Sequence, residues 1–339
     1  MSYFNFLAIF LGIPLISISV LTWFDLRKGR CLPDPLRAVS FWIVLFSHVI
    51  VAIVYTTPWD NYLVATGVWY YDPRLVTGIT LGWVPIEEYT FFVLQTLWVG
   101  LLLRWMAARF PYDAGLPRRD SLFRLIPTIG LGVIWLWAVI LFASGWVPGT
   151  YLALILIWAI PPIMLQFIFG GDILWRNRRL VVSVLVIAIS FLSASDSLAI
   201  HSGTWTIDPN QSLNFFLGGI LPVEEFLFFI VTNVLIVLGI TLVLSKDSHA
   251  RFARFTQRLR PGSTTLSSRG MDQSSRGFLH ISQLSKSYQE GETTHQILRD
   301  LSVEIAQGEF VAILGKSGSG KSTLLNLISG IDQVDSGEI

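Results

Sequence analysis

The chain has few charged residues and almost no cysteine. Of its 339 residues 14% are charged, and Cys31 is the single cysteine. One thiol excludes an internal disulfide and leaves no cysteine cluster for zinc or for an iron–sulfur centre. The five histidines are scattered, and no two of them stand at metal-ligand spacing. No Lys or Arg precedes Arg27, so the basic start of a cleaved secretory signal is missing and the first apolar segment is predicted to remain as a membrane helix.

Hydrophobic residues, by contrast, make up 53% of the chain, and the mean hydropathy is +0.60. This composition indicates a membrane protein whose first partner is the lipid bilayer. Seven apolar windows come close to the ~20 residues that a helix needs to span a bilayer. They lie near residues 3–24, 37–57, 84–106, 122–143, 150–170, 179–200 and 216–244. The sequence therefore predicts an all-α polytopic membrane protein with seven transmembrane helices.

Basic residues are distributed unevenly between the segments that join these helices. Lys and Arg cluster between helices one and two, three and four, and five and six, and again after helix seven, whereas the alternate segments contain only Arg74. Positive charge in short loops marks the cytoplasmic side. We therefore expect a multi-pass protein of the cell membrane, with its N-terminus outside and its C-terminus in the cytoplasm.

An acidic motif occurs twice, each time at the start of an apolar helix, as Pro85-Ile86-Glu87-Glu88 and as Pro222-Val223-Glu224-Glu225. The motif and the residues ahead of it were compared between the two copies. Eleven of 33 positions are identical, where about two would be expected from composition. The matched residues, at a shift of 136 or 137, are Asp60, Gly67, Trp69, Asp72, Pro73, Gly82, Pro85, Glu87, Glu88, Phe91 and Phe92 with Asp196, Gly203, Trp205, Asp208, Pro209, Gly219, Pro222, Glu224, Glu225, Phe228 and Phe229. Pro14 and Asp25 match Pro161 and Asp172 at a shift of 147, so the duplication is predicted to cover a whole helical unit.

The repeat divides the membrane region into three parts. Helices one to three, in residues 1–113, form the first repeat, and helices five to seven, in residues 147–245, form the second. A linking helix in residues 114–146 has no partner in the repeat. Because each repeat has an odd number of helices, this extra helix makes the two repeats parallel. Both acidic pairs then enter the same half of the membrane and are predicted to converge at a cleft between the repeats.

The acidic pairs have a structural and a functional interpretation. Proline at the first helical position and carboxylates in the first turn are typical of a helix N-terminus. Ionisable groups at membrane depth are costly, however, and are usually kept for function. The functional interpretation is therefore the stronger one.

Two adjacent carboxyl groups in an apolar cleft cannot easily both ionise, so each pair offers a neutral acid beside a carboxylate. Aromatic faces near them can stabilise a carbocation. Gln95 and Thr232, each seven residues after the second glutamate of its motif, share a helix face with that glutamate. This arrangement suits protonation of a carbon–carbon double bond in a hydrocarbon dissolved in the membrane.

Aromatic residues are frequent in the segments ahead of the two motif helices. At this depth they ordinarily form an interfacial belt. Trp69 and Trp205, however, precede Asp72-Pro73 and Asp208-Pro209 at the same spacing. Because a belt requires no register, we expect a loop that folds back over the helix ends.

The composition becomes polar and basic after the seventh helix, and residues 246–275 are predicted as a flexible basic tail. A buried-strand pattern at 310–314 then leads into Gly315-Lys-Ser-Gly-Ser-Gly-Lys-Ser, the pattern of a phosphate loop with a strand before it and a helix after it. In such a loop backbone N–H groups cradle phosphates, Lys321 reaches the terminal ones and Ser322 binds magnesium. The nucleotide-binding candidates are Gly315, Ser317, Gly318, Gly320, Lys321, Ser322 and Thr323.

Residues 276–339 resemble the opening of an ABC-transporter nucleotide-binding domain, as a short α/β segment. Tyr288 stands where that family stacks an aromatic ring on adenine, and Ser336-Gly-Glu-Ile begins the next strand. The resemblance stops at residue 339, before the family's signature and switch motifs, which hydrolysis needs. It therefore implies a truncated fragment that holds ATP and magnesium weakly at most and is not an active ATPase. Whether this fragment is a genuine fusion stays open.

Residues 1–245 resemble the lycopene cyclases of bacteria, archaea and fungi, in which two repeats each carry a Pro-x-Glu-Glu motif. Residues 69–72, 85–92, 205–208 and 222–229 carry the resemblance. It implies an enzyme that cyclises the open ends of a carotenoid substrate, lycopene, as an isomerisation without net redox change. It also implies acid/base roles for Glu87, Glu88, Glu224 and Glu225, and supporting roles for Asp60, Asp72, Asp196 and Asp208. The membrane region has no G-x-G-x-x-G fingerprint, and we expect cyclisation to need no cofactor.

Two other functions stay open. A phosphate loop after a membrane domain is consistent with a membrane subunit of an ABC transporter, although the cytoplasmic loops are short for that class. Related enzymes that hydrate carotenoid ends use similar membrane scaffolds. Ring type, carotenoid length, the use of one or both repeats, and a homo-oligomeric state are not readable from the sequence. We expect no nucleic-acid partner.

Overall fold

A computed structural model describes residues 1–110, 121–259, 279–291, 293–305, 311–313, 315 and 318–339. The chain divides into two compact units, Met1–Pro261 and Gly262–Ile339. We call them the membrane unit and the C-terminal unit.

The membrane unit contains, among its described residues, seven helices that are long and apolar enough to cross a membrane. They are α1 (Tyr3–Arg27), α2 (Phe41–Ala65), α3 (Ile86–Ala107), α4 (Leu122–Ala143), α5 (Thr150–Arg176), α6 (Arg178–His201) and α7 (Val223–Leu244). A helix satisfies its own backbone hydrogen bonds, which is why apolar runs of this length become helices in lipid. Each predicted window corresponds to one of the seven, so the prediction of an all-α membrane protein with seven spans is confirmed.

Helices α3 and α7 form the core of the membrane unit. α3 packs against α1, α2, α6 and α7, and α7 also packs against α2, α5 and α6. In the most apolar window of α3 and of α7, 72% and 67% of the residues are buried, against 11% in α4. α4 packs mainly on α5 and lies at the periphery. These contacts place the acidic motifs in the core, whereas the duplication itself stays a prediction from the sequence.

A two-stranded ribbon joins the segments that precede the two central helices. β1 (Trp69–Tyr71) pairs with β4 (Trp205–Ile207) in antiparallel fashion, and Tyr70 lies opposite Thr206. These two residues correspond at the shift of 136, so the ribbon connects the predicted repeats at matching positions. The two loops, which the sequence predicts to be in register, therefore pair directly with each other.

A short hairpin leads into each central helix. The strands are β2 (Thr80–Leu81) with β3 (Val84–Pro85), and β5 (Phe216–Leu217) with β6 (Leu221–Pro222). Gly82 and Gly219 lie in the two turns with φ of 70° and 74°, a left-handed backbone that glycine adopts without strain. The predicted start of helix seven at residue 216 is wrong. A hairpin with a glycine turn occupies residues 216–222, and the helix begins at Val223.

Helix α1 contains a π-helical turn at Ala8–Gly12. Such a turn accommodates one additional residue within an α-helix. Tyr3 and Pro14 are 11 positions apart, whereas Tyr151 and Pro161 are 10 positions apart. The π-turn therefore allows Tyr3 and Tyr151 to take matching places despite the one-residue difference.

The predicted flexible tail is wrong over residues 246–259, which form helix α8 (Lys246–Leu259). Arg251 in this helix forms an ion pair with Asp172 of α5, with 2.5 Å between Nη2 and Oδ2. Composition alone suggests a linker because this acidic partner lies 79 positions away in the chain. Residues 260–275 of the predicted tail lie outside the described residues.

The described part of the C-terminal unit contains an antiparallel sheet and one helix. The sheet order is β8 (Thr293–Ile305), β7 (Leu279–Glu290) and β9 (Ser336–Glu338), and the helix is α9 (Lys321–Ile328). The strand that was predicted near the last residues is confirmed as β9. The strand predicted at 310–314 is not formed at 311–313, because no described strand pairs with these residues, and its two ends lie outside the described part of the chain.

Candidate active site in the membrane unit

The four motif glutamates lie in the first turns of α3 and α7 and are all buried. The exposed fractions of Glu87, Glu88, Glu224 and Glu225 are 0%, 5%, 0% and 3%. A proline at the N-cap position, with ψ of 150° in one case and 140° in the other, precedes each helix. Successive helical residues point about 100° apart. The two members of each pair therefore face different surroundings.

The first glutamate of each pair binds the loop ahead of its own helix. Oε1 of Glu87 accepts a hydrogen bond of 2.6 Å from the backbone N–H of Thr77. Oε1 of Glu224 accepts one of 2.7 Å from the backbone N–H of Leu213 and one of 3.0 Å from the Ser212 hydroxyl. The other oxygen, Oε2, is buried in both residues and has no partner within the described part of the chain. The first glutamates thus anchor the loops.

The second glutamate of each pair binds a tyrosine from the first helix of its predicted repeat. The Tyr3 hydroxyl donates a hydrogen bond of 2.6 Å to Oε2 of Glu88, and Tyr71 donates a second of 3.1 Å. The Tyr151 hydroxyl donates one of 2.7 Å to Oε1 of Glu225. Burial and the nearby Glu88 raise the pKa of Tyr71 well above its usual value, so this phenol remains a donor.

The second glutamates of the two pairs line one small cavity, together with Asp196. The cavity volume is about 20 Å³, the space of a single water molecule. Seven aromatic rings complete its wall: Tyr3, Trp69, Tyr71, Phe91, Trp205, Phe228 and Phe229. The structure thus brings Glu88 and Glu225 together from two helices, with an apolar aromatic wall around them.

Two of the aspartates predicted as supporting groups are buried near this cavity. Asp60 of α2 and Asp196 of α6 have exposed fractions of 0% and 1%. Neither oxygen of Asp60 accepts a hydrogen bond from any described residue. Asp196 lies beside Trp205, without a hydrogen bond of good geometry. A buried carboxyl group without donors is costly as an anion, so the supporting role of both aspartates stays a prediction.

The other two predicted aspartates lie outside the cavity, in the loops. Asp72 accepts hydrogen bonds from the backbone and the guanidinium of Arg74, and these bonds lower the pKa of Asp72 to about 2. The backbone N–H of Asn210 is the largest cause that lowers the pKa of Asp208 below its usual value. Both side chains stabilise turns, and neither is placed to contact a ligand in the cavity.

A larger cleft adjoins the cavity and shares Phe228 with it. Its volume is about 210 Å³, and it lies between α2, α3, α5 and α7. Gln95 and Thr232, predicted on the faces of the second glutamates, both line it and are joined by a hydrogen bond of 3.2 Å. The rest of the lining is His48, Val51, Ala52, Tyr55, Thr56, Phe92, Thr96, Trp158, Pro162, Gln166, Leu235 and Ile236. This cleft can hold an apolar chain that leads away from the carboxyl groups.

Sequence reasoning missed Tyr3 and Tyr151, the tyrosines closest to the glutamates. They repeat at a shift of 148, whereas Pro14 and Pro161 repeat at 147, so a search at one fixed shift does not pair them. Allowing a one-residue gap within α1 would have revealed them. The π-turn in α1 is the physical form of that gap.

The phosphate-loop candidates lie in the C-terminal unit. Gly318 and Gly320 have φ of 81° and 85°, and Gly320 directly precedes α9, which begins with Lys321, Ser322 and Thr323. The Lys321 ammonium donates a hydrogen bond of 2.7 Å to the backbone oxygen of Gly315. Ser317 lies outside the described residues. The described part of the loop thus has the left-handed glycines and the helix N-terminus that a phosphate loop needs.

Tyr288, predicted to stack on adenine, lies on β7 and is exposed. Its hydroxyl donates a hydrogen bond of 2.5 Å to Asp332, and Lys286 lies over its ring at 5.2 Å. These contacts hold the tyrosine on the surface of the C-terminal unit. They leave its role toward a nucleotide as a prediction.

The fold and the site define a class of protein: a polytopic membrane protein with two pairs of buried glutamates, one member of each meeting in an aromatic cavity. Comparison with known families agrees with this class. The family described as Lycopene cyclase matches residues 1–106 and 148–244, and the family described as ABC transporter matches residues 298–339. The chain belongs to the lycopene cyclase family.

Individual relatives match between 56% and 71% of this chain. The chain is 37% identical over 241 residues to a lycopene beta-cyclase of Halobacterium salinarum, which covers 71% of this chain and 95% of the relative. It is 35% identical over 203 residues to a bifunctional lycopene cyclase/phytoene synthase of Podospora anserina, covering 58% of this chain and 34% of that protein. A protein of the same name from Leptosphaeria maculans is 38% identical over 207 residues, with shares of 56% and 34%.

Proposed function

We propose that the membrane unit is a lycopene cyclase that closes the open ends of a linear carotene by acid/base chemistry. The observation that carries this proposal is the shared cavity of Glu88 and Glu225, with a tyrosine hydroxyl on each carboxyl group and aromatic rings around both. Family membership and the names of the relatives support it. The reaction is an isomerisation without net redox change, so it needs no net electron donor or acceptor, and we expect it to proceed without a cofactor.

The chemistry begins when a neutral carboxyl group transfers its proton to the terminal double bond of the linear end. The electron pair of that bond forms the new C–H bond and leaves a carbocation. A neighbouring double bond attacks the cation and closes the ring, which moves the positive charge to a ring carbon. A carboxylate then removes a proton and the last double bond forms. One proton enters and one leaves, so the atoms balance.

The two second glutamates are the proposed acid/base residues. One oxygen of each accepts a tyrosine hydrogen bond, while the other has no hydrogen bond from any described residue and belongs to a side chain that lines the cavity. That oxygen is free to exchange a proton with a substrate. Glu87 and Glu224, by contrast, are positioning residues, because their hydrogen bonds hold the loops that shape the cavity.

The aromatic wall supplies the remaining stabilisation. A cation over an aromatic face gains about 0.5 to 2 kcal/mol, and the ring does not capture it as a nucleophilic side chain would. Phe228 is the link between the two spaces, because it borders both the cavity and the cleft. A carotene end needs more space than 20 Å³, so the cavity must widen before it can hold one.

The ring type of the product and the orientation of the protein in the membrane rest on separate observations. The printed name of the halobacterial relative, lycopene beta-cyclase, favours a β ring. The excess of Lys and Arg in the alternate loops favours an outside N-terminus and a cytoplasmic C-terminus. The ribbon and the cavity then lie toward the outer surface of the cell membrane.

The test is expression of the full chain in a bacterium that accumulates lycopene. We expect conversion to a cyclic carotene, measured by chromatography of the extracted pigments, without any added cofactor. The matched control is the double variant Glu88→Gln with Glu225→Gln, which preserves side-chain size. Unchanged lycopene in cells that carry the wild-type protein in their membranes would contradict the proposal. Hydroxylated linear products would indicate a hydratase.

The match of residues 298–339 to the ABC transporter family supports a second, separate function for the C-terminal unit. We propose that it binds the phosphates of ATP through the loop at 315–322, with magnesium on Ser322. A fluorescent ATP analogue should bind the purified chain in the presence of magnesium, and Lys321→Ala should weaken binding. Equal binding by the variant would contradict this role.

A further inference from the structure

A second cavity lies at the other end of α3 from the glutamates. Arg104 is 16 residues after Glu88 on this helix, so the two are separated by about 24 Å along its axis. The cavity has a volume of about 370 Å³ and is open to the surface. Its lining comes from the segment between α1 and α2, the first turn of α2, and the Arg104 side chain. None of these residues belongs to the carboxyl site.

Arg104 is buried in an unusual state. Its exposed fraction is 4%, and its guanidinium donates no hydrogen bond and forms no ion pair with any described residue. The ring of Phe41 lies 5.7 Å from the guanidinium carbon. Asp25 is already held by Arg109, through hydrogen bonds of 2.6 Å and 2.9 Å. The Asp25 carboxylate is near enough to act on Arg104 electrostatically, but it forms no ion pair with it. A buried guanidinium without a hydrogen-bonded anion is costly, which points to a negatively charged ligand.

The N-terminus of α2 contributes a second source of positive potential to the same cavity. Ser40 precedes this 25-residue helix, and its side chain makes no capping hydrogen bond. The N–H groups of the first turn have no partners within the helix, and the helix dipole is positive at this end. Ser40 and the exposed Arg37 both line the cavity. Free N–H groups at a helix start form a ready site for a phosphate.

The corresponding position in α7 shows that the fold does not require an arginine here. At the shift of 137, Arg104 corresponds to Thr241, which is fully buried. The Thr241 hydroxyl donates a hydrogen bond of 2.7 Å to the backbone oxygen of Val237, so it is satisfied within its own helix. Arg104 therefore distinguishes one half of the membrane unit from the other.

We propose that this cavity binds the phosphate group of an anionic phospholipid. Trp42 borders the cavity and has an exposed fraction of 41%, and the next residue, Ile43, has one of 64%. A headgroup held by Arg104, Arg37 and the α2 N-terminus would lay its acyl chains along this apolar flank. The basic segments of the chain cluster at this end of the helices, where anionic lipids bind between membrane helices.

The test uses the full chain, purified in detergent and titrated with phosphatidylglycerol or with phosphatidylcholine of the same acyl chains. Native mass spectrometry counts the lipids that remain bound. We expect a preference for phosphatidylglycerol in the wild type, and about a tenfold loss of its affinity in Arg104→Gln. Arg254→Gln, which removes an exposed positive charge outside the cavity, is the matched control and should bind as the wild type does.

A second variant keeps the proposal testable if Arg104→Gln does not fold. Ser40→Asp should cap α2, raise the thermal stability of the protein and at the same time repel the phosphate. Loss of the lipid preference in this stabilised variant would support the site. Lipid binding equal to the wild type in both variants would overturn it, because neither Arg104 nor the N-terminus of α2 would then hold the phosphate. Binding of inorganic phosphate with no lipid preference would overturn the assignment to a phospholipid.

Discussion

Gln95 of α3 donates a hydrogen bond of 3.2 Å to Thr232 of α7. The two residues occupy the same place in the two acidic-motif helices, because their numbers differ by the same 137 that relates the glutamates. Two helices can join matching positions in this way only when the same face of each is turned toward the other. That geometry is what brings Glu88 and Glu225 into one cavity.

The two members of each glutamate pair should respond differently to the loss of their acid. Glu88→Gln and Glu225→Gln are expected to lower the cyclisation rate by about 10²- to 10⁴-fold, because a general acid or base is removed. Glu87→Gln and Glu224→Gln keep an oxygen for the loop N–H groups, so they should retain most activity and lose thermal stability. Product formation in membranes, normalised to the amount of inserted protein, measures both effects.

Equal losses in all four variants would contradict this division of roles. If only Glu88→Gln fails, the two halves are unequal and α7 serves as scaffold. Near-full activity in every variant at normal expression would show that the glutamates are structural.

The tyrosine hydroxyls that bind the second glutamates should affect the cyclisation rate in the order of their hydrogen-bond distances. Tyr3→Phe and Tyr151→Phe each remove the shortest hydrogen bond to a second glutamate and leave a buried carboxylate with a lost donor. We expect a clear fall in cyclisation rate at normal expression. Tyr71→Phe should have a smaller effect, because its bond is longer, 3.1 Å, and Tyr3 still donates to Glu88.

Tyr89→Phe is the matched control for these variants. Its hydroxyl donates to the backbone oxygen of Leu81 and lies outside the cavity lining. This variant should keep its activity. A loss equal to that of Tyr3→Phe would mean that any buried tyrosine hydroxyl in this region supports the fold alone.

Two partly buried ion pairs, one near the C-terminal end of α1 and one near that of α5, should contribute to stability without affecting catalysis. Asp25 pairs with Arg109, and Asp172 pairs with Arg251. Asp25→Asn and Asp172→Asn are each expected to cost about 1 to 3 kcal/mol, between the values for exposed and fully buried pairs. Thermal unfolding in detergent measures the loss.

The pair between Asp34 and Lys246 is the internal control, since both side chains are mostly exposed. Its removal should leave the unfolding midpoint nearly unchanged. A larger effect from Asp34→Asn than from Asp25→Asn would contradict the assignment of stability to the buried pairs.

The C-terminal unit should be dispensable for cyclisation. The membrane unit contains all the residues of the cavity and the cleft, and the chain divides near residue 261. A chain that ends at residue 270 is therefore expected to insert and to cyclise lycopene at the rate of the full chain. A large loss of activity in correctly inserted protein would show that the two units work together.

The seven helices could be predicted because bilayer thickness fixes the length of an apolar run. The approach of α3 to α7 could be predicted from the duplicated motif. The separate roles of Glu87 and Glu88 could not, because they depend on hydrogen bonds from a loop and from Tyr3, which is 85 positions away. Helix α8 was missed for a similar reason, since its stabilising partners are distant in the sequence.

The ribbon of β1 and β4 has a consequence for how a substrate arrives. Trp69, Tyr71 and Trp205 of this ribbon close one end of the cavity. The adjoining cleft, by contrast, is bordered by Val51 and Tyr55, whose exposed fractions are 60% and 41%, on the apolar flank of α2. A hydrocarbon can therefore enter sideways from the lipid without crossing water. For the proposed carotene substrate, supply would then depend on diffusion in two dimensions, and its mole fraction in the bilayer would set the rate at low loading.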